Sequence, residues 1–346
     1  MLRRPLARTI AAVIGVVVIG LVWFILQVVA LGGEGRLVIV TVKPGDSMAA
    51  IAGAMHAKGV IHSPFAFRVD TLFLGSIAVQ PGSYQIAQNS SFAHVKAIFG
   101  TAPNVAVVSV APGETLHEVT LQLESDEGAG FAGAFVTDEF SLAATSPYDP
   151  NVAAVANSGV NGTESPIEGL IAPGQYVLTP AETPLELLQS MMSGFNREAA
   201  SAGLSSESRI EGLSAYQLVI AASIVQREGY YEVNMPKVAR VIFNRLAKGG
   251  PLQMDSTVKY PLGIDAGAVT PQMLQTSTPY NTYLHTGLTP TPICTVSTAA
   301  LDAVLHAPAG SWYYFTLVSR NGTLAFSTTF AQQLANERLA ASRGLG

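Results

Sequence analysis

The sequence predicts an α+β chain in four parts, and three observations carry that prediction. The first is a run from Ile10 to Leu31 in which only Gln27 is plainly polar. The second is a short strand–turn–helix pattern that begins at Val40 and is heard again at Val108. The third is a long C-terminal portion where helical periodicities alternate with polar stretches and two strand patterns follow near the end. The parts are an N-terminal tail over 1–9, an apolar helix over 10–31, a strand–helix region over 38–125 and a larger domain over 126–346.

Composition narrows the chemistry. The chain has 346 residues, 49% of them hydrophobic, and a formal net charge of −5 with no basic run, so nucleic acid is not an expected partner. One cysteine, Cys294, excludes an intrachain disulfide, and six histidines stand without a ligand-like pair such as HExxH. Neither a metal nor another cofactor is expected.

The apolar run comes first. Its twenty-two residues, at about 1.5 Å of rise each, reach roughly the 30 Å of a hydrocarbon core. A single transmembrane helix is the expectation. Arg3, Arg4 and Arg8 precede it, so the positive-inside rule sets the N-terminus in the cytoplasm and everything after Leu31 on the far side of the cell membrane. A cleaved signal peptide ending near Val28-Val29-Ala30 is the competing reading, with an apolar region unusually long for that role.

Next comes the repeated pattern. Val40-Thr41-Val42-Lys43-Pro44-Gly45-Asp46-Ser47 returns as Val108-Ser109-Val110-Ala111-Pro112-Gly113-Glu114-Thr115. Each copy is a short alternating strand, a Pro-Gly turn, and an acidic and a hydroxyl residue opening a helix. Met48, Ile51, Ala52 and Met55 mark the first helix, and residues 79–100 read as a further strand and helix. Such units resemble LysM, a small fold that binds amino-sugar polymers; packing units without glycan affinity explain the pattern equally well.

Residues 126–166 are rich in Gly, Ala, Ser and Asn. A helix or two is expected over 130–144 and a loop over 146–166. Glu168-Gly169-Leu170-Ile171-Ala172-Pro173-Gly174-Gln175-Tyr176 then precedes Thr183-Pro184-Leu185, which opens a long amphipathic helix carrying Leu187, Leu188, Met191, Met192 and Phe195. The end of the chain offers a helix at 299–305, strands at 312–318 and 323–327 about an Asn321-Gly322 turn, and a final helix to Arg343.

The stretch from Ser214 to Tyr260 carries the candidate chemistry. A helix entered at the N-cap Ser214 has Ala221, Ile224, Val225 and Glu228 on one face, so Glu228 closes an apolar stripe. A carboxyl group against apolar neighbours keeps its proton closer to neutral pH, as a general acid requires. The alternative is a helix-terminal Glu turned outward, or paired with Arg227, Lys237 or Arg245. A second helical pattern through Val238, Val241, Ile242, Arg245 and Leu246 stops at Gly249-Gly250-Pro251, and the polar LQMDSTVKY after it reads as a loop.

These blocks resemble the YceG-like family of endolytic murein transglycosylases, the MltG proteins, whose members carry ASIVEKE, VFxNRL, LQxDPTVxY and PYNTYxxxGLPPxPI in that order. The chain has ASIVQRE ending at Glu228, VIFNRL with Asn244 and Arg245, LQMDSTVKY with Gln253, Asp255 and Tyr260, and PYNTYLHTGLTPTPI with Tyr280, Asn281 and Tyr283. The Gly-Leu-x-x-Pro-x-x-Tyr skeleton after Glu168 resembles the family's EGxLFPDTY block. The resemblance implies a YceG-like catalytic domain over 126–346. It implies cleavage of MurNAc–GlcNAc bonds in nascent peptidoglycan strands to leave 1,6-anhydroMurNAc ends, terminating glycan elongation. Glu228 would be the catalytic acid and base, with Asn244, Arg245, Gln253, Asp255, Tyr260, Tyr280, Asn281 and Tyr283 as substrate-binding candidates. Each of the latter serves equally well as scaffolding; Asp255 could shape an Asx-turn, and Arg245 an ion pair. Partners on this reading are glycan strands and the membrane, with peptidoglycan synthases or division proteins as further partners.

Departures from the family are informative. Gln226 stands in the place of another family Glu, which argues that only the second acid is needed. Ser256 replaces a Pro, Thr289 another Pro, and Val296-Ser297 a Pro-Gly pair, changes read as altered loop stiffness. Leu324 and Gln333 stand where the family has histidines; their joint loss suggests that the two imidazoles face one another or one ligand. A non-catalytic glycan-binding scaffold of cell-wall synthesis is the alternative that this loss supports. A serine acyl-transfer enzyme is disfavoured, because Ser223 lacks the Lys of an SxxK pair and no GxSxG occurs.

Overall fold

The computed structural model describes residues 3–29, 31–156, 164–179, 182–229 and 231–345. Two compact units divide the chain: Met1–Val107 with Val177–Ala181, and Val108–Tyr176 with Glu182–Gly346. The second copy of the strand–turn–helix pattern therefore begins the second unit.

In the first unit, helix α1 (Arg3–Val28) is followed by Gly32 and Gly33, both at positive φ. It ends three residues before the expected Leu31. Among the described residues no helix is long and apolar enough to cross a membrane; Met1, Leu2 and Ala30, which belong to the expected tail and anchor, lie outside them. Strand β1 (Leu37–Val42), helices α2 (Met48–Ala57) and α3 (Pro64–Phe73), strand β2 (Gly82–Ala87) and helix α4 (Phe92–Phe99) complete the unit. β1 and β2 pair antiparallel with Val40 opposite Tyr84. Alternation buries Val40, Val42, Tyr84 and Ile86 on one face, where Met55, Phe67, Phe92 and Phe99 close the core. Ser47, Ser63 and Ser91 cap the three helices by accepting a first-turn N–H each. The strand and helix expected over 79–100 are β2 and α4. Helix α3 was not expected, because its outward face carries Phe65, Leu72 and Phe73, all exposed, and blurs the amphipathic period.

The two copies of the repeated pattern fold alike. Gly45 (φ +85°) and Gly113 (φ +90°) take the left-handed turn position. Asp46 and Glu114 close the turns by accepting the N–H of Lys43 at 2.8 Å and of Ala111 at 2.6 Å. The second copy is strand β3 (Ala106–Val110) and helix α5 (Leu116–Glu127), entered through a capping box between Thr115 and Glu118.

Helices dominate the rest of the second unit: α6 (Ala129–Ala143) and α7 (Val152–Ala156), then, after strand β4 (Gly174–Leu178), α8 (Pro184–Ala202). β3 and β4 form a two-stranded sheet. α7 lies inside the segment expected to be loop; a run of alanine and valine is enough for one helical turn. Residues 157–163 of that expected loop lie outside the described ones. Thr183 caps α8 through a box with Glu186. A small hairpin, β5 (Arg209–Ile210) and β6 (Leu213–Ser214), leads into α9 (Ala215–Glu228), which Ser214 caps through a box with Gln217. α9 is buried nearly all round and packs on α10 (Met235–Ala247), α11 (Asp255–Lys259) and α13 (Thr298–Leu305). α11 corrects the expected loop at LQMDSTVKY. Gln253 turns the chain at φ +50°, and a five-residue helix with a 3-10 turn at Tyr260–Leu262 follows, too short to show a period. α12 (Pro271–Leu274), the antiparallel pair β7 (Tyr314–Leu317) and β8 (Leu324–Ser327), and α14 (Phe330–Ser342) complete the unit.

Candidate active site

Glu228 is the last residue of α9, and the chain is closely packed just beyond it. A Cβ on Gly229 would stand 2.6 Å from Met235 Cγ and 2.8 Å from the Val225 carbonyl oxygen. Only a residue without a side chain fits there, and Gly229 lets the segment that leads to α10 pack closely against the end of α9. Its carboxyl is packed about by protein yet partly accessible, because it faces a cleft of about 980 Å³. Asp255, Ser256 and Lys259 of α11 line that cleft, together with Gly113 and Glu114 of the second Pro-Gly turn.

One oxygen of Glu228 is doubly held. Oε1 accepts the Ser256 N–H at 3.1 Å and the Ser256 hydroxyl at 2.7 Å. Burial raises the carboxyl above the usual range, the Ser256 bonds oppose that rise, Asp255 adds to it and Lys259 subtracts. The net direction is upward, so the carboxyl holds its proton to higher pH than a free glutamate does. Arg227, the nearest cation in sequence, is spent elsewhere: it donates to the Gly113 carbonyl at 2.8 Å and pairs with Asp265. Gln226, where the family has another acid, accepts the Ser297 N–H at 3.0 Å at the entry of α13.

The candidate binding residues fall into two groups. Asp255 is exposed and accepts the Tyr283 hydroxyl at 2.6 Å, and Gln253 is exposed beside it with its backbone N–H on the Thr282 carbonyl at 3.0 Å. These residues stand at the Glu228 end of α11. The others are occupied inside the protein. Asn244 donates to the carbonyls of Gly310 and Trp312 at 3.0 and 2.8 Å. Arg245 donates to the Tyr313 carbonyl at 2.7 Å and to that of Leu252. Asn281 is buried, donates to the carbonyls of Leu274 and Thr276 and accepts the Tyr283 N–H. Tyr280 bonds Thr291 at 2.8 Å, and Tyr260 donates to Glu168 at 3.2 Å. Residues 111–114, which the sequence had placed in the strand–helix region over 38–125, line one part of the cleft.

Behind the cleft lies a second acid. Glu168 is fully buried at the N-terminus of α5, where both its oxygens accept the Leu116 N–H at 3.2 Å. Burial pushes it up to about 8 against those bonds, and the nearby Glu139, itself raised by burial to about 7, pushes the same way. Glu168 has no opening to the cleft; it ties α5 to Tyr260 at the far end of α11. At the positions of the family histidines, Leu324 is buried in β8 and Gln333 gives its amide to Thr316 at 2.5 Å and Glu337 at 3.0 Å. Among the described residues no group of His, Cys, Asp and Glu is arranged to hold a metal ion.

Sequence reasoning missed Ser256, Lys259 and the 111–114 turn as parts of the site. Ser256 was visible as a departure but was read for stiffness, and the turn was visible as a repeat but was read for its own fold.

Comparison with known proteins places these features. An endolytic murein transglycosylase of Bacillus subtilis is 28% identical over 299 residues, covering 85% of this chain and 82% of the relative. One from Streptococcus pneumoniae is 22% identical over 311 residues, and the match spans 56% of its length. The crystal structure of a putative YceG-like protein of Listeria monocytogenes superposes with a TM-score of 0.57 at 21% identity, over 87% of this chain and 99% of that one, and shares its fold. The YceG-like family model matches residues 40–339, from the first strand of the repeated pattern to the last helix, and the chain belongs to that family.

Proposed function

We propose that this chain is a lytic transglycosylase that cleaves peptidoglycan strands internally, with Glu228 as its acid and base. The observation that carries the reading is a single desolvated carboxyl, its proton affinity raised by burial, opening onto a polar cleft of about 980 Å³. Ordinary glycoside hydrolysis needs two carboxyl groups flanking the bond, one to protonate the leaving oxygen and one to activate water or attack the sugar. Asp255 is held by Tyr283 and is suited to orienting substrate. Transglycosylation needs one acid used twice. Glu228 gives its proton to the glycosidic oxygen as that bond breaks. As carboxylate it then takes the proton of the muramoyl 6-hydroxyl, whose oxygen closes on the anomeric carbon. The product is a 1,6-anhydro end, no water is consumed, and Glu228 finishes protonated. Termination of glycan elongation would follow from such cuts in nascent strands.

Asp255 and Lys259, which line the cleft, with Gln253 and Tyr283 beside Asp255, are the groups we assign to the sugar chain, while Asn244, Arg245, Tyr260, Tyr280 and Asn281 serve as scaffolding. Replacing Glu228 by Gln keeps the size and removes the transferable proton, so anhydro-muropeptide release from purified strands should fall by at least the ~10² to 10⁴ of lost general acid–base catalysis. Near-parental release by E228Q would reject the assignment; reducing ends in place of anhydro ends from the parent would mean that a second carboxylate activates water. Absence of any cleavage would leave a glycan-binding scaffold.

The same reading includes a membrane anchor. The Ile10–Leu31 run supports it, as does the company α1 keeps: its Phe24 and Val28 pack against the first unit's core, and α3 of that unit turns Phe65, Leu72 and Phe73 outward. A helix with such a face suits a bilayer surface. The cleavage domain then lies outside the cytoplasm, and the first strand–turn–helix copy, being LysM-like, is a candidate for holding glycan near the membrane. Synthases or division proteins would be met there.

A further inference from the structure

Ser256 offers Glu228 two donors that the family's own residue cannot. The related motif reads LQxDPTVxY, and proline at this place has neither an N–H nor a hydroxyl. In this chain both groups converge on one oxygen, Oε1, at 3.1 and 2.7 Å. Ser256 is buried, and it follows Asp255 in the first turn of α11, where no helical partner claims its N–H. That N–H is free to serve the carboxyl.

We propose that Ser256 is a positioning residue for Glu228: it occupies Oε1 and so assigns the proton exchange with substrate to Oε2, and it steadies the carboxylate formed after the first half of the reaction. This rests on the acid–base reading of Glu228. An oxygen already accepting two hydrogen bonds is a poor place for a proton, because an O–H there would meet two donors head on. The free oxygen carries the proton, and the held oxygen fixes the plane in which that proton is presented. Hydrogen bonds to the charged form also favour it, so they oppose the effect of burial and help the carboxylate act as base in the second half. The charged and titratable groups about Glu228 are Asp255 and Lys259 of α11, Arg245 of α10 and Tyr283, with Glu114, Glu118, Arg227 and Asp265 lining the same cleft. None of them changes with the substitutions below.

The experiment compares the full chain with its Ser256→Ala and Ser256→Pro variants, measuring initial rates of anhydro-muropeptide release on purified glycan strands across pH. Alanine removes the hydroxyl and keeps the N–H; proline removes both, and tolerates the first turn of a helix. Fewer donors leave the acid protonated to higher pH, so the alkaline limb of the rate profile should move up in the order parent, Ser256→Ala, Ser256→Pro. At the pH where the parent has fallen to a tenth of its maximum, Ser256→Pro should keep a several-fold larger share of its own. Maximal kcat should fall in the same order, because the base step loses support, while KM stays near the parent's. A structural role alone would lower the melting temperature and leave the profile in place. Superimposable profiles from a folded Ser256→Ala and an active parent would overturn the inference, and so would a profile moving to lower pH. If Glu228→Gln is as active as the parent, the failure belongs to the acid–base reading and this inference falls with it.

Discussion

At the scale of single residues, the site is a small number of atoms with assigned partners. Asp255 takes the Tyr283 hydroxyl and faces the cleft. Asp255→Asn should lower kcat/KM by about tenfold, the worth of one hydrogen bond to a charged group, and leave the product anhydro; a loss as large as that of Glu228→Gln would make Asp255 a second catalytic acid. Gly229 is the other sensitive point. Its φ is ordinary, and the constraint is the 2.6 Å that a Cβ would leave to Met235. Gly229→Ala should therefore destabilise by ~1 to 3 kcal/mol as an overpacked site, and should lower cleavage at temperatures where the protein is still folded, because relief of the clash displaces Glu228. Thermal melts and rates at 25 °C read the two effects separately. Glu228 was picked out in the sequence by its place at the end of an apolar stripe, but that pattern left an outward or paired carboxylate open, and it was the resemblance of ASIVQRE to the family block that implied a role. Ser256 was not legible, since a sequence gives the type of a residue but not whether its backbone N–H has been left unspent.

At the scale of elements, caps and turns were the most readable features. Ser47, Thr183 and Ser214 each precede a helical period and each accepts an N–H of the first turn. The short α11 and the outward-apolar α3 were not readable, the first for want of length and the second because its exposed face is as apolar as its buried one. Which of two elements a turn would serve was also hidden: Pro112-Gly113-Glu114 looks like its twin at residues 44–46 and yet lines the cleft. The entry of α5 carries a pH dependence. Glu168 and Glu139 hold protons in the folded protein up to about 8 and 7, whereas in the unfolded chain they lose them near 4.5. Over that interval the folded state binds more protons, so stability is greatest below the unfolded value and falls as pH rises toward 8. Denaturant midpoints across pH should show this loss, and Glu168→Gln should flatten it. A midpoint of the parent that rises from pH 5 to 8 would mean that other groups outweigh this pair.

For the molecule as a whole, the anchor is the outstanding expectation. The full chain should sediment with membranes and stay there through washing with salt and with alkali, as a helix held by apolar area does and a surface-bound protein does not. Release by alkali would restrict the first unit to peripheral contact. Mean hydropathy of +0.34 is in keeping with such a segment. The α+β class and the order of the C-terminal elements were legible because each rests on local pattern. The division of the chain between two units was not, because it depends on which helices meet, and no periodicity encodes that.

The place of Glu228 as the last residue of α9 has a consequence of its own. Glu228 sits where the aligned peptide dipoles of α9 leave about half a negative charge, a field that opposes ionisation before any neighbour is considered. It also sits at a set angle: one residue added within α9 would turn it by about 100° and carry it about 1.5 Å along the axis. The acid is therefore addressed by helical phase, counted from the Ser214 cap to the glycine. Substitutions along α9 that keep its length leave that count intact, whereas an insertion or deletion of one residue anywhere between the two would point the carboxyl into a wall.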